Sequence, residues 1–282
     1  MKRVILTADD FGLSIGVNEA VERAHRAGIL TAASLMVAGP AAADAVRRAR
    51  ALPGLRVGLH LVVIDGPAML PPSAIPDLVD ARGWFGAEQV RRGFAYFFRP
   101  RVRRQLAAEI AAQFAAFAET GLPLDHADAH RHMHAHPLIG RLLIDIGRAH
   151  GLRALRVPAE PASVVRACGE RVGVGARALH AWTRLLRAQA RRAGLVTNDH
   201  AFGIAWSGRV TAARLRRLAA HLPDGLSEIY LHPATRRDAL LERRMPGYQH
   251  EAEFAALVDP GVAEALRAAG ATLTTYAAGA SG

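Results

Sequence analysis

The chain has 282 residues, of which 51% are hydrophobic and 22% charged, a composition that excludes a disordered protein and allows a large core. Its formal net charge is +11, and Cys168 is its only cysteine, which excludes an intrachain disulfide. A basic surface attracts anions, but no nucleic-acid-binding module is recognisable in the sequence, so we expect no nucleic-acid partner.

The first residues resemble the start of a signal peptide, but Asp9 and Asp10 interrupt the apolar run too early. No apolar run in the sequence is long enough to cross a bilayer. We therefore expect a cytoplasmic protein, with peripheral contact to the inner face of the membrane as an alternative. The sequence leaves the oligomeric state open, and a homodimer is one alternative.

The first sixty or so residues predict strands that alternate with helices. Apolar and β-branched runs predict the strands RVILTA, AASLMVAG and RVGLHLVV. Between them, helical spacing predicts SIGVNEAVERAHRAGIL, with Ser14 as its N-cap, and PAAADAVRRARAL. This alternation indicates parallel strands in an α/β fold.

The remaining elements extend the same pattern after an interruption. We predict a helical insertion around residues 81–120, divided at Pro100, and later strands in LPLDHADAH, LRALRVPAE, LSEIYLHPA and GATLTTYAAG. The fold class is α/β: an irregular (β/α) barrel with mostly parallel strands, forming a single domain over residues 1–282. In such folds the active residues collect at the carboxyl ends of the strands.

Polar side chains that can bind metals occur at four predicted strand ends. They are Asp9 and Asp10 after the first strand, His60 in the third, His126, Asp128 and His130 in DHADAHRHMHAH, and His232 in EIYLHPA. Each has a simpler explanation: a cap or turn, a hydrogen-bonded core histidine, a solvated His-rich loop, or an ordinary loop histidine. Their joint occurrence favours a metal site.

One carboxylate with two imidazoles leaves coordination positions open, as a catalytic metal site requires. A cation held in this way polarises a carbonyl group and lowers the pKa of bound water. A second carboxylate could accept the proton of that water, and a histidine could protonate the leaving group. This is the design of a hydrolase. Imidazole ligands favour Zn²⁺ as the one divalent ion, with Mg²⁺ as the alternative.

Four segments resemble, in the same order, the motifs of the YdjC-like carbohydrate deacetylases, a family that includes chitooligosaccharide deacetylases. They are ILTADDFGLSIGVNEAV, VGLHL, DHADAHRHMH and EIYLHPA. The resemblance spans nearly the whole chain. It implies an irregular (β/α) barrel that removes acetyl groups from N-acetylated sugars with a divalent metal ion.

Carried over by position, the resemblance implies that Asp10, His60 and His130 bind the metal, that Asp9 is the general base and that His232 is the general acid.

Three further residues, Arg156, His126 and Asp128, are expected to bind substrate or to orient a carboxylate. A guanidinium binds carboxylates through a two-pronged contact, although a surface arginine at a strand end is the alternative for Arg156. The third motif also departs from the family pattern, with Asp125, Ala129 and Arg131 where the family has Thr, Ser and commonly His. The first change adds a charge near the site, and the last removes a possible ligand.

The segments RVPAEP and FAYFFRPRVRR resemble the hopanoid-biosynthesis-associated (HpnK-like) branch, which implies an N-acetylglucosaminyl bacteriohopane polyol, a lipid, as substrate. Aromatic residues and arginines between Trp84 and Arg104 suit a lipid–water interface. The alternative is a helix that packs on the barrel and exposes a basic face. Alternative functions are deacetylation of soluble N-acetylated oligosaccharides such as chitooligosaccharides, a non-catalytic sugar-binding barrel, and a phosphoesterase.

Overall fold

A nine-stranded sheet forms the centre of the computed structural model, which describes residues 1–172 and 174–279. The strands are β1 (Lys2–Phe11), β2 (Ala32–Leu35), β3 (Arg56–Leu61), β4 (Ala127–Ala129), β5 (Ala154–Leu155), β6 (Val196–Thr197), β7 (His200–Phe202), β8 (Gly225–Leu231) and β9 (Ala271–Leu273).

The order of the strands across the sheet is β6-β5-β4-β3-β2-β1-β8-β7, and β9 pairs with the start of β1. Each of these pairings is parallel. The sheet curls into a half-barrel surrounded by helices, which confirms the predicted α/β barrel-like fold. Parallel strands all end at the same edge, so polar residues at their carboxyl ends meet there.

The helices follow the strands in chain order. They are α1 (Ile15–Ala27), α2 (Ala42–Arg50), α3 (Gln89–Phe98), α4 (Pro100–Glu119), α5 (Pro137–Ala149), α6 (Ala162–Ala167), α7 (Val174–Arg192), α8 (Ala212–His221), α9 (Ala239–Arg244), α10 (His250–Val258), α11 (Pro260–Ala268) and α12 (Tyr276–Gly279), with a 3-10 segment at His130–Ala135.

The predicted helical insertion consists of α3 and α4, and it begins at Gln89 rather than near residue 81. Pro100 occupies the first turn of α4, where a missing N–H costs no helical hydrogen bond. The residues just before α3 form a loop with isolated bridges to Trp84 and Phe85. The domain predicted over residues 1–282 includes Gly173 and residues 280–282, which lie outside the described residues.

Two local features have simple physical explanations. Ser14 caps α1 as predicted, because its side chain accepts a hydrogen bond from the Val17 N–H at 3.3 Å. Strands β6 and β7 were not predicted, because runs of two and three residues are too short to show an alternating pattern. No helix in the described ranges is long and apolar enough to span a bilayer.

Gly28, which ends α1, lets α1 approach the end of α10. A Cβ atom at this position would lie 2.2 Å from the Leu257 carbonyl oxygen. We predict that Gly28→Ala lowers the free energy of unfolding by about 1–3 kcal/mol, because the backbone must shift to admit the methyl group. Gly247→Ala is the matched control, since no atom lies within 4 Å of its Cβ position. Equal urea midpoints for the two variants would contradict this packing.

Candidate metal and catalytic site

Asp9 and Asp10 lie at the carboxyl end of β1 and are both buried. Consecutive side chains of a regular strand point to opposite faces of the sheet. Here the pairing with β2 shifts register between Ala8 and Phe11, and Asp10 has a φ of 61°, in the left-handed region. This irregularity allows two adjacent carboxylates to enter one cluster.

The structure brings the other predicted residues to the same edge of the sheet. His60 lies in β3, Asp128 in β4, His130 directly after β4, Arg156 directly after β5, and His232 directly after β8. Each position lies at or near the carboxyl end of its strand, as the sequence predicts.

Asp10, His60 and His130 form a buried group whose ligand atoms all lie within 4.8 Å of one another. Asp10 Oδ1 is 3.2 Å from His130 Nδ1 and 3.3 Å from His60 Nε2. Asp10 Oδ2 and His60 Nε2 are buried, and neither has a hydrogen-bond partner among the residues that the structure describes. Buried polar atoms are normally satisfied, so two unpaired ligand atoms in one cluster fit a site that could hold a metal ion.

Asp9, His60 and Asp128 form a second, overlapping group of potential ligands. Arg156 already donates to both oxygens of Asp9, and its Nη1 lies 2.5 Å from Asp128 Oδ2. The remaining oxygen, Asp128 Oδ1, lies 2.8 Å from His60 Nδ1. Because a guanidinium already compensates both carboxylates, the Asp10 group is the better cation site.

Asp128 orients His60 through this contact, and its Oδ2 also accepts a hydrogen bond from Ser34 at 3.0 Å. Histidine ligands commonly donate their second ring nitrogen to a carboxylate, which fixes the tautomer and the direction of the ring. Asp128 is fully buried.

Arg156 is fully buried and connects three carboxylates. Its guanidinium donates to Asp9 at 2.7 and 2.8 Å and to Glu228 at 2.9 Å, and it also contacts Asp128. Its two-pronged contact with Asp9 has the geometry that fixes a carboxylate in one plane. The alternative interpretation of Arg156 as a surface arginine at a strand end is therefore wrong.

The two adjacent aspartates have different electrostatic surroundings. Burial raises the pKa of Asp9 to about 6, although the charge of Arg156 opposes this shift. Burial also disfavours the charged form of Asp10, but the charge and hydrogen bond of His130 outweigh it and hold the Asp10 pKa well below its usual value. Because Asp10 is ionised, its carboxylate can bind a cation.

His232 faces this cluster from the end of β8. Burial lowers the pKa of its imidazole to about 3. Within the described part of the chain its Nδ1 has no hydrogen-bond partner, and the ring packs edge-on against Tyr248 with centroids 5.0 Å apart. Only 9% of His232 is exposed, whereas an ordinary loop histidine would be open to solvent.

The other sequence candidates lie outside the metal-ligand group. His126 is fully buried and contacts Asp125 at 3.0 Å and Ser34 at 3.1 Å. The charge introduced by Asp125 is therefore paired. Arg131 forms an ion pair with Asp65.

Sequence reasoning missed three residues that contact the site: Glu228, which accepts a hydrogen bond from Arg156; Tyr230, whose ring centroid lies 4.9 Å from the Arg156 guanidinium carbon; and Glu253, which accepts the His232 N–H. The first two had a detectable signal: Glu228, Tyr230 and His232 alternate along LSEIYLHPA, so they share one side of β8. Glu253 gave no such signal, because it is one acidic residue within α10.

We predict that Arg156→Met lowers the free energy of unfolding by about 3–5 kcal/mol near pH 7, because it leaves buried carboxylates uncompensated. The deficit should shrink as the pH falls towards 5. Without Arg156, burial would raise the pKa values of these carboxyls, so they would gain protons on folding. The wild type instead depends on ionised Asp128 and Glu228, whose pKa values are lowered. Urea unfolding at both pH values measures this, with exposed Arg153→Met as control. A deficit independent of pH would contradict the electrostatic explanation.

Comparisons with known proteins agree with this architecture. A family model described as YdjC-like protein matches residues 3–268. The carbohydrate deacetylase of Thermoanaerobacter pseudethanolicus is 27% identical over 276 residues, covering 98% of both chains. That of Geobacillus stearothermophilus is 30% identical over 273 residues, covering 96% of both chains.

Solved structures show the same fold. An Enterococcus faecalis protein described as a cellobiose-phosphate cleavage protein superposes with a TM-score of 0.76 at 24% identity, covering 98% of both chains. The lactam utilization protein of Thermus thermophilus gives a TM-score of 0.50 at 17% identity, covering 97% of this chain and 99% of that chain. The match over residues 3–268 includes every residue of the site, and on that basis this chain belongs to the YdjC-like family.

Proposed function

We propose that this protein is a metal-dependent carbohydrate deacetylase that hydrolyses the acetamide of an N-acetylglucosaminyl group to an amine and acetate. The observation that carries the proposal is the buried Asp10–His60–His130 group beside the Arg156-bound carboxylate of Asp9. The carbohydrate deacetylases to which the chain is similar over nearly its whole length support the substrate class.

Asp10, His60 and His130 would hold the divalent ion. One carboxylate and two imidazoles favour Zn²⁺, with Mg²⁺ as the alternative. When bound, the ion supplies a Lewis acid for the acetyl carbonyl and for water.

Asp9 is the general base in this proposal. Its pKa of about 6 suits a base that is ionised at neutral pH and still accepts a proton. Arg156 fixes the plane of the carboxylate, so Asp9 can take a proton from the attacking water without losing its orientation. His232, on another strand end, donates a proton to the departing nitrogen. The water oxygen bonds to the acetyl carbon, the C–N bond breaks, and acetate and the amine are released.

An apolar groove beside the site supports a lipid-linked sugar as the substrate. Its cavity has a volume of about 550 Å³ and lies between α3, the 3-10 segment and α7. Val90, Phe94, Phe97 and Phe98 of α3 are 48–74% exposed, and Trp182 of α7 is 42% exposed. Clusters of exposed apolar side chains of this kind mark binding surfaces.

Exposed arginines that follow α3 along the chain fit the same substrate. Arg99, Arg101, Arg103 and Arg104 are exposed around the start of α4. The groove also shares Arg131 and His132 with the chain segment that contains His130. We therefore propose an N-acetylglucosaminyl hopanoid as the substrate, with peripheral membrane contact through the exposed phenylalanines and arginines.

The alternatives predict different products. A deacetylase of soluble sugars releases acetate from chitooligosaccharides, a phosphoesterase releases phosphate, and a non-catalytic barrel binds sugar without turnover. A two-metal phosphoesterase uses more bridging carboxylates, but Asp9 and Asp128 are already paired with Arg156.

Two substitutions should separate the roles of ligand and base. We predict that His130→Ala lowers the metal content, whereas Asp9→Asn retains the metal and loses about 100-fold or more in kcat. Elemental analysis and acetate release measure these effects, with exposed His221→Ala and Asp145→Asn as controls. Unchanged metal content in His130→Ala, or loss of metal in Asp9→Asn, would contradict the assigned roles.

The proposed function is tested by acetate release from an N-acetylglucosaminyl hopanoid and from a chitooligosaccharide. We predict that Phe94→Ser combined with Phe98→Ser lowers the hopanoid-to-chitooligosaccharide ratio of kcat/KM by about tenfold or more, because burial of a phenylalanine contributes ~1.5–3 kcal/mol. Leu273→Ser, at the opposite edge of the sheet, is the control.

Acetate from the chitooligosaccharide alone would support the family activity and reject the lipid. Metal binding without acetate from either substrate would reject the enzyme. A ratio that the double variant leaves unchanged would remove the groove from substrate binding.

A further inference from the structure

The general acid proposed above, His232, is held by residues that sequence reasoning did not identify. Its backbone N–H donates to Glu253 Oε2 at 2.5 Å, and its carbonyl oxygen accepts a hydrogen bond from His250 Nδ1 at 2.7 Å. Both partners lie in the first turn of α10. Two side chains of one helix thus fix the backbone of His232 on both sides.

Glu253 is fully buried, and both of its oxygens are used. Oε1 accepts the Val210 N–H at 2.7 Å, and Oε2 accepts the His232 N–H. The carboxylate therefore joins the loop before α8 to the loop after β8. A neutral side chain could also accept hydrogen bonds from backbone N–H groups. This structural role therefore does not by itself explain why an acidic residue is buried here.

The imidazole of His232 supplies a second reason for a carboxylate. Its Nδ1 is buried without a hydrogen-bond partner and lies 3.9 Å from Glu253 Oε2. Catalytic hydrogen bonds are often long in unliganded sites and shorten when the substrate is bound. A movement of ~1 Å would bring these two atoms within hydrogen-bond distance.

We propose that Glu253 is a positioning residue for His232: its carboxylate accepts the Nδ1–H of the ring, so that Nε2 is directed towards the scissile amide. This inference rests on the proposed deacetylation. In the imidazolium form, Nε2 gives its proton to the leaving nitrogen, and the neutral ring that remains keeps Nδ1–H with Glu253 as its acceptor. Burial lowers the pKa of His232 to about 3 and raises the pKa of Glu253 to about 7, so a closer Nδ1–Oε2 contact would favour the charged form of both groups.

A double-mutant cycle tests this coupling. Glu253→Gln keeps the side-chain volume and should lower kcat for the N-acetylglucosaminyl substrate by about 10–100-fold, with KM nearly unchanged. In a His232→Ala background the same substitution should have little further effect, because the ring that it positions is gone. Glu251→Gln, an exposed position on α10, is the matched control. Multiplicative losses in the double variant would overturn the proposal.

A second readout does not depend on activity. In metal-loaded, ¹⁵N-histidine-labelled protein, the His232 ring signals are assigned by their loss in His232→Ala. We expect the neutral His232 ring of the wild type to carry its proton on Nδ1. In Glu253→Gln a smaller fraction of the ring should be protonated at Nδ1, and an unchanged tautomer would contradict the proposal. If Glu253→Gln does not fold, Glu253→Asp serves as the second variant, with an intermediate effect expected. If the wild type releases no acetate, the proposed function is rejected. The tautomer measurement would still show whether Glu253 accepts the Nδ1–H of His232.

Discussion

The buried guanidinium of Arg156 is the interaction on which the rest of the site depends. It compensates Asp9 of β1, Asp128 of β4 and Glu228 of β8 at once. Removing ions from water costs several kcal/mol for each ion unless partners and hydrogen bonds replace the solvent. Because these carboxylates come from separate strands, one side chain connects the two sides of the curled sheet. Arg156 therefore holds the carboxylates of Asp9 and Asp128 in place.

This compensation lets neighbouring carboxylates have separate roles. Asp9 is held by a permanent cation, whereas Asp10 lies between imidazoles and keeps one oxygen without a partner. A regular strand could not produce this arrangement, because it would direct one of the two side chains away from the site. The left-handed conformation of Asp10 is uncommon for a residue other than glycine, and here it has a functional consequence.

Much of the site was predictable because parallel strands bring their carboxyl ends together. Asp9, His60 and His232 could be assigned to one edge once three strands were recognised in the sequence. Glu253 could not, since its contact with His232 depends on how α10 packs against the loop after β8, and the helix pattern contains no information about that loop. The register shift beside Asp10 could not be predicted either, because it depends on the pairing of β1 with β2 rather than on the residues of β1 alone.

The 3-10 segment connects the two features that define the proposed substrate. His130 begins it within the metal-ligand group, and Met133 lies in the apolar groove. Arg131 and His132 between them have positive φ values of 51° and 54°, which turn the chain sharply. A substrate that occupies both the metal-ligand group and the apolar groove must therefore carry its acetamide close to its apolar portion. Its acetyl group would then enter the end of the barrel, and its apolar portion would lie in the groove outside. A glycolipid with one sugar next to its apolar portion meets this requirement, whereas a long soluble oligosaccharide leaves the exposed phenylalanines without a partner.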